Sequence, residues 1–206
     1  MLDFIISIIL GYLIGSIPFA LIIGKVFYKT DIRQYGSGNL GGTNAGRVLG
    51  KKAGIAVMVC DILKVVLAVG IASRFSNICA IWCGVACCIG HCWPVFARFR
   101  GGKAVSTMFG FLLGCWLFIF GSASYFLVPA VMFLIILYIF RYVSLASICA
   151  SVCSSLYITA TLFSFQTDDL MITIATWLVT LLVIYRHRVN IKKISNGTEN
   201  KITWLK

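Results

Sequence analysis

The sequence predicts an all-α fold, a polytopic membrane helix bundle. Three observations carry that prediction: 60% of the 206 residues are hydrophobic, only 12% are charged, and the apolar residues gather in long runs. A water-soluble chain of this length has no way to hide so much apolar surface, and the mean hydropathy of +0.98 says the same. A single domain over 1–206 is expected.

A helix crosses the bilayer core with about 20 apolar residues, fewer when flanking side chains snorkel. Seven runs meet or approach that length, at 4–24, 53–73, 77–97, 104–122, 125–140, 143–164 and 170–185. The expectation is about seven transmembrane helices within a range of five to seven, because the fifth run is short and only Gly121-Ser-Ala-Ser124 parts it from the fourth. The first run follows Met1-Leu2-Asp3, an acidic start, and exceeds a signal-peptide core, so it is expected to stay as a span.

Sidedness comes from the basic residues, which short cytoplasmic loops retain. With seven spans, all Lys and Arg except Lys64 and Arg74 fall on the side reached after spans one, three, five and seven. The N-terminus is therefore expected outside and the C-terminus in the cytoplasm, with the acidic Gln166-Thr-Asp-Asp169 on the outer face. The net charge of +12 is accounted for by this placement and by attraction to anionic lipid or substrate, and no nucleic-acid partner is expected.

Inside the spans the sequence offers packing devices. Gly11-x-x-x-Gly15 and Gly110-x-x-x-Gly114 are close-approach faces, and Pro18 marks a kink. Cys79, Cys83 and Cys87 share a helical face, but buried cysteine is usually a small, soft packing residue; no metal and no cofactor are expected. Asp61 and Lys64 are the ionisable pair within a span, each costing roughly 2.5–3.5 kcal/mol on insertion scales. Three-residue spacing lets them pair, either as a structural ion pair or as part of the site's framework.

Three polar segments remain, all on the cytoplasmic side of this scheme: Y35-G-S-G-N-L-G-G-T-N-A-G-R47, G90-H-C-W-P-V-F-A-R-F-R-G-G-K-A-V-S-T107 and Y185-R-H-R-V-N-I-K-K-I-S-N-G-T-E199. Each combines glycines, hydroxyls or amides, and cations, the means by which proteins hold phosphate. Gly101-Gly102-Lys103 stands where the fourth span starts, so a lysine and free helix-terminal N–H groups face an anion together. No Walker-type Gly-x-x-x-x-Gly-Lys-Ser/Thr occurs, nor a Gly-x-Ser-x-Gly elbow, and neither His91 nor His187 has an Asp five residues on.

The three segments resemble those of one family, the bacterial acyl-phosphate:glycerol-3-phosphate acyltransferases of the PlsY type. GSGNLGGTN from Gly36, GHCWPVFARFRGGKA from Gly90, and YRHRVNI from Tyr185 with Gly197-Thr-Glu199 match its signatures in order and spacing. Asp61-x-x-Lys64 and Arg141-Tyr-Val-Ser144 also look like family positions. The departures are Gly42, where the family pattern has alanine, and Ala104, where it has the glycine that follows Gly-Gly-Lys.

The resemblance implies acyl transfer from acyl-phosphate to the 1-hydroxyl of glycerol 3-phosphate, giving lysophosphatidic acid and phosphate, the first acylation of phospholipid synthesis, at the cytoplasmic face of the bacterial cytoplasmic membrane. No covalent enzyme nucleophile is then needed, because an acyl-phosphate brings its own good leaving group. The implied catalytic residues are Lys103, Ser37, Asn39, His91 and His187; the implied substrate-binding residues are Gly36, Gly38, Thr43, Asn44, Arg47, Gly101, Gly102, Thr107, Ser144 and Asn190. The acyl tail would lie in a groove between helices, beside membrane lipid, and a soluble acyl-phosphate-forming phosphate acyltransferase is a candidate partner. The competing reading is an anion transporter, which the one-sided cations and the lack of a repeat of the first half in the second argue against.

Overall fold

The computed structural model describes residues 1–162 and 167–202. Gln166, Lys206 and the end of the run expected at 143–164 lie outside the described residues. The described chain is built from helices: α1 (Leu2–Gly15), α2 (Phe19–Tyr28), α3 (Gly42–Leu49), α4 (Lys51–Ala72), α5 (Asn77–Cys92), α6 (Val105–Cys115), α7 (Ser124–Phe140), α8 (Val143–Thr161), α9 (Thr167–Arg186) and α10 (Arg188–Ser195). Among the described residues, five stretches are long and apolar enough to cross a membrane, Leu2–Tyr28, Lys51–Ala72, Asn77–Ala97, Val143–Thr161 and Asp168–Arg186; Val105–Phe120 and Ser124–Phe140 are shorter.

The first run is not one continuous helix. Pro18 has no N–H to give, so the chain breaks over Ser16–Pro18 and restarts as α2, with Leu21 and Ile22 donating to the Pro18 carbonyl. The fourth run continues from α6 as a π-helical turn, Trp116–Phe120, and Gly121 ends it in the left-handed region at φ 66. α7 follows, so the separation expected at Gly121-Ser-Ala-Ser124 is present.

Small residues let the helices approach. α1 packs chiefly on α5, and a Cβ at Gly11 or Gly15 would enter the backbone of Cys83 or Cys87. α6 packs on α4 in the same manner, with Gly110 against Ile62 and Val65 and Gly114 against Val69. Between them the core closes on Phe111, Met108, Leu112, Ile81 and Val69, all fully buried.

α8 and α9 are joined by hydroxyls instead. Ser155 Oγ lies 2.8 Å from Thr180 Oγ1, Thr180 Oγ1 donates to the Ser151 carbonyl at 2.7 Å, and Trp177 Nε1 donates to Thr159 Oγ1. Such bonds contribute about 0.6 kcal/mol each on average between membrane helices. At the end of the bundle remote from the three polar segments, Asn77 donates to Asp168 and ties the start of α5 to that of α9.

Gly15→Leu is expected to force α1 off α5 and lower the thermal unfolding midpoint in detergent by roughly 3–10 °C. Gly46→Ala, whose added Cβ meets its nearest neighbour at an ordinary 3.6 Å, should leave the midpoint nearly unchanged.

Candidate active site

The first polar segment is a loop held by its own residues. Asp31 takes Arg33 in a two-pronged pair, Nε at 2.9 Å and a terminal amine at 2.5 Å, and that guanidinium holds the carboxyl down to about 2. Gly36 and Gly38 then adopt φ of 60 and 67, where an L side chain is strained. Asn44, buried at the start of α3, closes the loop: its Oδ1 accepts from Ser37 N at 2.9 Å, and its Nδ2 faces the carbonyls of Ile32 and Tyr35 at 3.3 Å. Asn44 thus shapes the loop, and the side chains left at its surface are Ser37, Thr43 and Arg47, with Asn39 half-buried.

Gly42 has a packing reason. A Cβ there would stand 2.9 Å from the Gly54 carbonyl and 3.2 Å from Met58 Cβ, so the glycine lets α3 lie close along the start of α4.

The second segment turns at Gly101-Gly102-Lys103. Gly102 N donates to the His91 carbonyl at 2.9 Å, while the carbonyls of Gly102 and Gly101 accept from Arg186 at 3.0 and 3.3 Å. Arg186 in turn lies over the Trp93 ring, 5.3 Å from its centroid. Both glycines are buried, and a side chain at either would collide, at Gly102 with the His91 ring and at Gly101 with the His91 carbonyl.

Ala104 follows at φ 61, ψ 12 and caps α6. Only glycine occupies this region without strain, so an alanine costs about 1–2 kcal/mol. The departure seen in the sequence is therefore at a position whose backbone suits the other residue.

Lys103 bridges the second segment to the third: its Nζ donates to Asn190 Oδ1 at 2.5 Å. Asn190 Nδ2 donates to Glu199 Oε1 at 2.7 Å, and Ser144 Oγ donates to the same oxygen at 2.7 Å. The tail also pairs Ile202 N with the Arg141 carbonyl, which fastens it over the turn between α7 and α8. Burial lowers the Lys103 ammonium from its ordinary value; Glu199 counters this, while Arg186, Lys193 and Arg47 add repulsion. Arg47 from the first segment and Arg186 and Lys193 from the third are thus in electrostatic reach of Lys103 from the second.

His187 is buried with Nδ1 2.8 Å from the Val183 carbonyl, which assigns the ring proton to Nδ1 and leaves Nε2 as an acceptor. Burial pushes its pKa down to about 4, against the pull of that carbonyl, with Lys103 and Arg186 nearby adding repulsion.

Two expected residues lie elsewhere. Thr107 is fully buried in the first turn of α6 with its hydroxyl towards the Cys88 thiol, and does not reach the loop surface. His91 lies beneath the loops, buried with Asp61 and Lys64. Conversely, Glu199 and Arg186 are central to the arrangement although neither is among the implied catalytic or substrate-binding residues; the Gly197-Thr-Glu199 and Tyr185-Arg-His matches are their signals in the sequence.

An open apolar groove of about 880 Å³ runs along one face of α4, lined by Ile17, Phe19, Cys60, Leu67 and Phe118 among others, with Lys64 at its inner side and Arg74 at the far end. Cys60 to Ala72, the end of α4, spans about 18 Å.

A helical membrane protein whose polar end gathers cations and loop amides, with an open apolar groove along one helix, is the class that fold and site define. The family model for glycerol-3-phosphate acyltransferase matches residues 5–197. A glycerol-3-phosphate acyltransferase of Geobacillus kaustophilus is 46% identical over 198 residues, 96% of this chain and 95% of the relative. Glycerol-3-phosphate acyltransferase 3 of Bacillus anthracis is 47% identical over 199 residues, 96% and 94% of the two chains. Among solved structures, PlsY (YgiH), an integral membrane glycerol 3-phosphate acyltransferase, superposes in its glycerol 3-phosphate form with a TM-score of 0.87 at 35% identity, covering 98% of this chain and 96% of that one. Its lysophosphatidic acid form gives 0.85 at 34% identity with the same coverage. The chain belongs to the glycerol-3-phosphate acyltransferase family and is a membrane acyltransferase.

Ala104→Gly is expected to raise stability by about 1 kcal/mol or less, the relief of left-handed strain exceeding the added freedom of the unfolded chain, read as a higher unfolding midpoint. For His187 the folded pKa is depressed, so the unfolded chain binds a proton first as pH falls from about 6.5 towards 4. The stability tied to the neutral ring is complete above that window and lost through it; unfolding midpoints measured from pH 7 to 4 should fall, and His187→Gln should flatten the decline.

Proposed function

We propose that the donor is a fatty acyl-phosphate and that the reaction joins its acyl group to the 1-hydroxyl of glycerol 3-phosphate, releasing phosphate. The observation that carries this reading is the convergence of Arg47, Lys103, Arg186 and Lys193 at the polar end, with the first-turn N–H groups of α6 next to Lys103. Two anions have to meet for this reaction, and that end supplies cations and backbone donors for both. The solved relative's glycerol 3-phosphate and lysophosphatidic acid forms fit such an acceptor and product.

In this reading Lys103 and Arg47 carry phosphate charge, and Ser37, Asn39, Thr43 and the glycine-loop amides add hydrogen bonds. Ser144 and Asn190 act through Glu199, which holds Asn190 where it meets Lys103. His187 offers its unprotonated Nε2 to the attacking hydroxyl. The oxygen attacks the donor carbonyl, the carbon–oxygen bond to phosphate breaks, and the hydroxyl proton ends on a phosphate oxygen. Catalysis then rests on approximation of two anions and stabilisation of carbonyl charge, with no acyl-enzyme.

The groove along α4 holds the acyl tail, which keeps the donor in the membrane while its head group reaches the polar end. The N-terminus lies outside, seven helices cross, and the site faces the cytoplasm of a bacterial inner membrane, where glycerol 3-phosphate and a soluble acyl-phosphate-forming enzyme have access.

Purified protein offered glycerol 3-phosphate with palmitoyl-phosphate, palmitoyl-CoA or palmitoyl-acyl-carrier protein should form product with the first alone; transfer from either thioester at a comparable rate would overturn the donor assignment. Lys103→Ala should cut transfer by at least 100-fold at unchanged expression. Leu67→Trp, which fills the groove, should raise KM for palmitoyl-phosphate several-fold and leave KM for glycerol 3-phosphate within twofold.

A further inference from the structure

Beneath the loops, Asp61, Lys64 and His91 form a buried cluster, exposed by only 1%, 4% and 6%. Lys64 Nζ is 2.7 Å from Asp61 Oδ1, 3.2 Å from His91 Nδ1 and 2.9 Å from the Ile17 carbonyl at the break between α1 and α2. An ammonium has three protons and no acceptor. The Ile17 carbonyl and His91 Nδ1 take two of them and the Asp61 carboxylate stands against the ammonium as its counter-ion, so Lys64 is engaged on three sides although it borders the groove. Its Phe19 neighbour, 5.7 Å from Nζ to ring centroid, covers another side.

The cluster leads to the loop through His91. With the ammonium facing Nδ1, that nitrogen is the acceptor and the ring proton is assigned to Nε2. The Nε2 side of the ring lies so close to Gly102 that a Cβ there would overlap it. The His91 carbonyl takes Gly102 N at 2.9 Å, so one residue holds Gly102 from two directions, and Lys103 is the next residue in the chain.

We propose that Asp61, Lys64 and His91 are positioning residues for glycerol 3-phosphate: Lys64 orients the imidazole, the imidazole and carbonyl of His91 set Gly102, and Gly102 sets where Lys103 meets Asn190. Asp61 balances the lysine's charge across the 2.7 Å contact between its Oδ1 and the ammonium. The proposal rests on the reading that Lys103 contacts the acceptor phosphate. A cluster serving only to lock α1, α4 and α5 together would need no contact with Gly102.

The test compares His91→Leu, the doubly neutral Asp61→Asn/Lys64→Met, and the conservative His91→Gln, whose amide can accept from Lys64 and donate towards Gly102. In detergent, hydrogen exchange of a peptide spanning 100–105 reports the loop without reference to catalysis, and steady-state kinetics report each substrate. His91→Leu and the double variant should speed exchange there at least tenfold and raise KM for glycerol 3-phosphate at least tenfold, with KM for palmitoyl-phosphate within twofold. His91→Gln should recover most of both effects. Unchanged exchange at 100–105, or equal rises in both KM values, would overturn the proposal. If the double variant does not fold, His91→Leu against His91→Gln decides alone. Failure of the unsubstituted protein to use palmitoyl-phosphate would instead remove the donor assignment, while the exchange comparison would still stand.

Discussion

The arrangement of this protein hangs on one buried cation. Lys64 reaches the carbonyl of Ile17 where Pro18 has interrupted the first span, the carboxylate of Asp61 one turn back on its own helix, and the imidazole of His91 near the end of α5. An ionised side chain at that depth is costly, and removing one partner of a buried pair typically costs 3–5 kcal/mol because a charge is left uncompensated. A hydrophobic triple of the same volume would pack three helices at least as well. What apolar side chains do not provide is direction, and it is the direction of the His91 ring that meets Gly102.

Above that cluster the site is made largely from backbone. Arg186 takes the carbonyls of Gly101 and Gly102, His91 takes the amide of Gly102, and Asn44 takes up the turn of the first segment, so the loops are tied by bonds of the protein's own. Loops tied in this way direct their remaining N–H groups and nearby cations, which suits a reaction whose demands are approximation and charge stabilisation. Glu199 completes the frame from the far end of the chain by drawing Ser144 and Asn190 to one carboxylate oxygen. Ala104 is a strained joint in it, as are Arg98 and Phe99 earlier in the same segment, and its strain falls on the residue next to Lys103.

Polar and apolar tasks are kept apart in space. Cations and amides occupy the loop end, whereas the groove follows Cys60, Leu67 and Ile71 down α4 towards Arg74. Helix packing permits both: glycines bring α6 onto α4 at Gly110 and Gly114, and Phe118, carried by the π-helical turn, then lines the groove near Gly70.

Much was legible without coordinates, because membrane segments announce themselves by length and hydropathy and because glycine-rich polar runs are out of place among them. Composition by itself determined that the protein is helical and membrane-embedded, and the spacing of the three motifs, through family resemblance, pointed to the loops that carry Lys103, Arg47, His187 and Asn190. The tertiary structure alone decided which polar residues meet. Asn44 and Ser144 looked like substrate ligands yet bond within the frame, Thr107 looked like a loop residue yet turns inward, and Arg186 and Glu199 proved central. The reason is physical: sequence spacing sets the face of a helix on which a residue stands, but the partners of Lys64, Lys103, Ser144 and Arg186 come from segments 27 to 87 residues away, brought there by packing that no local pattern encodes.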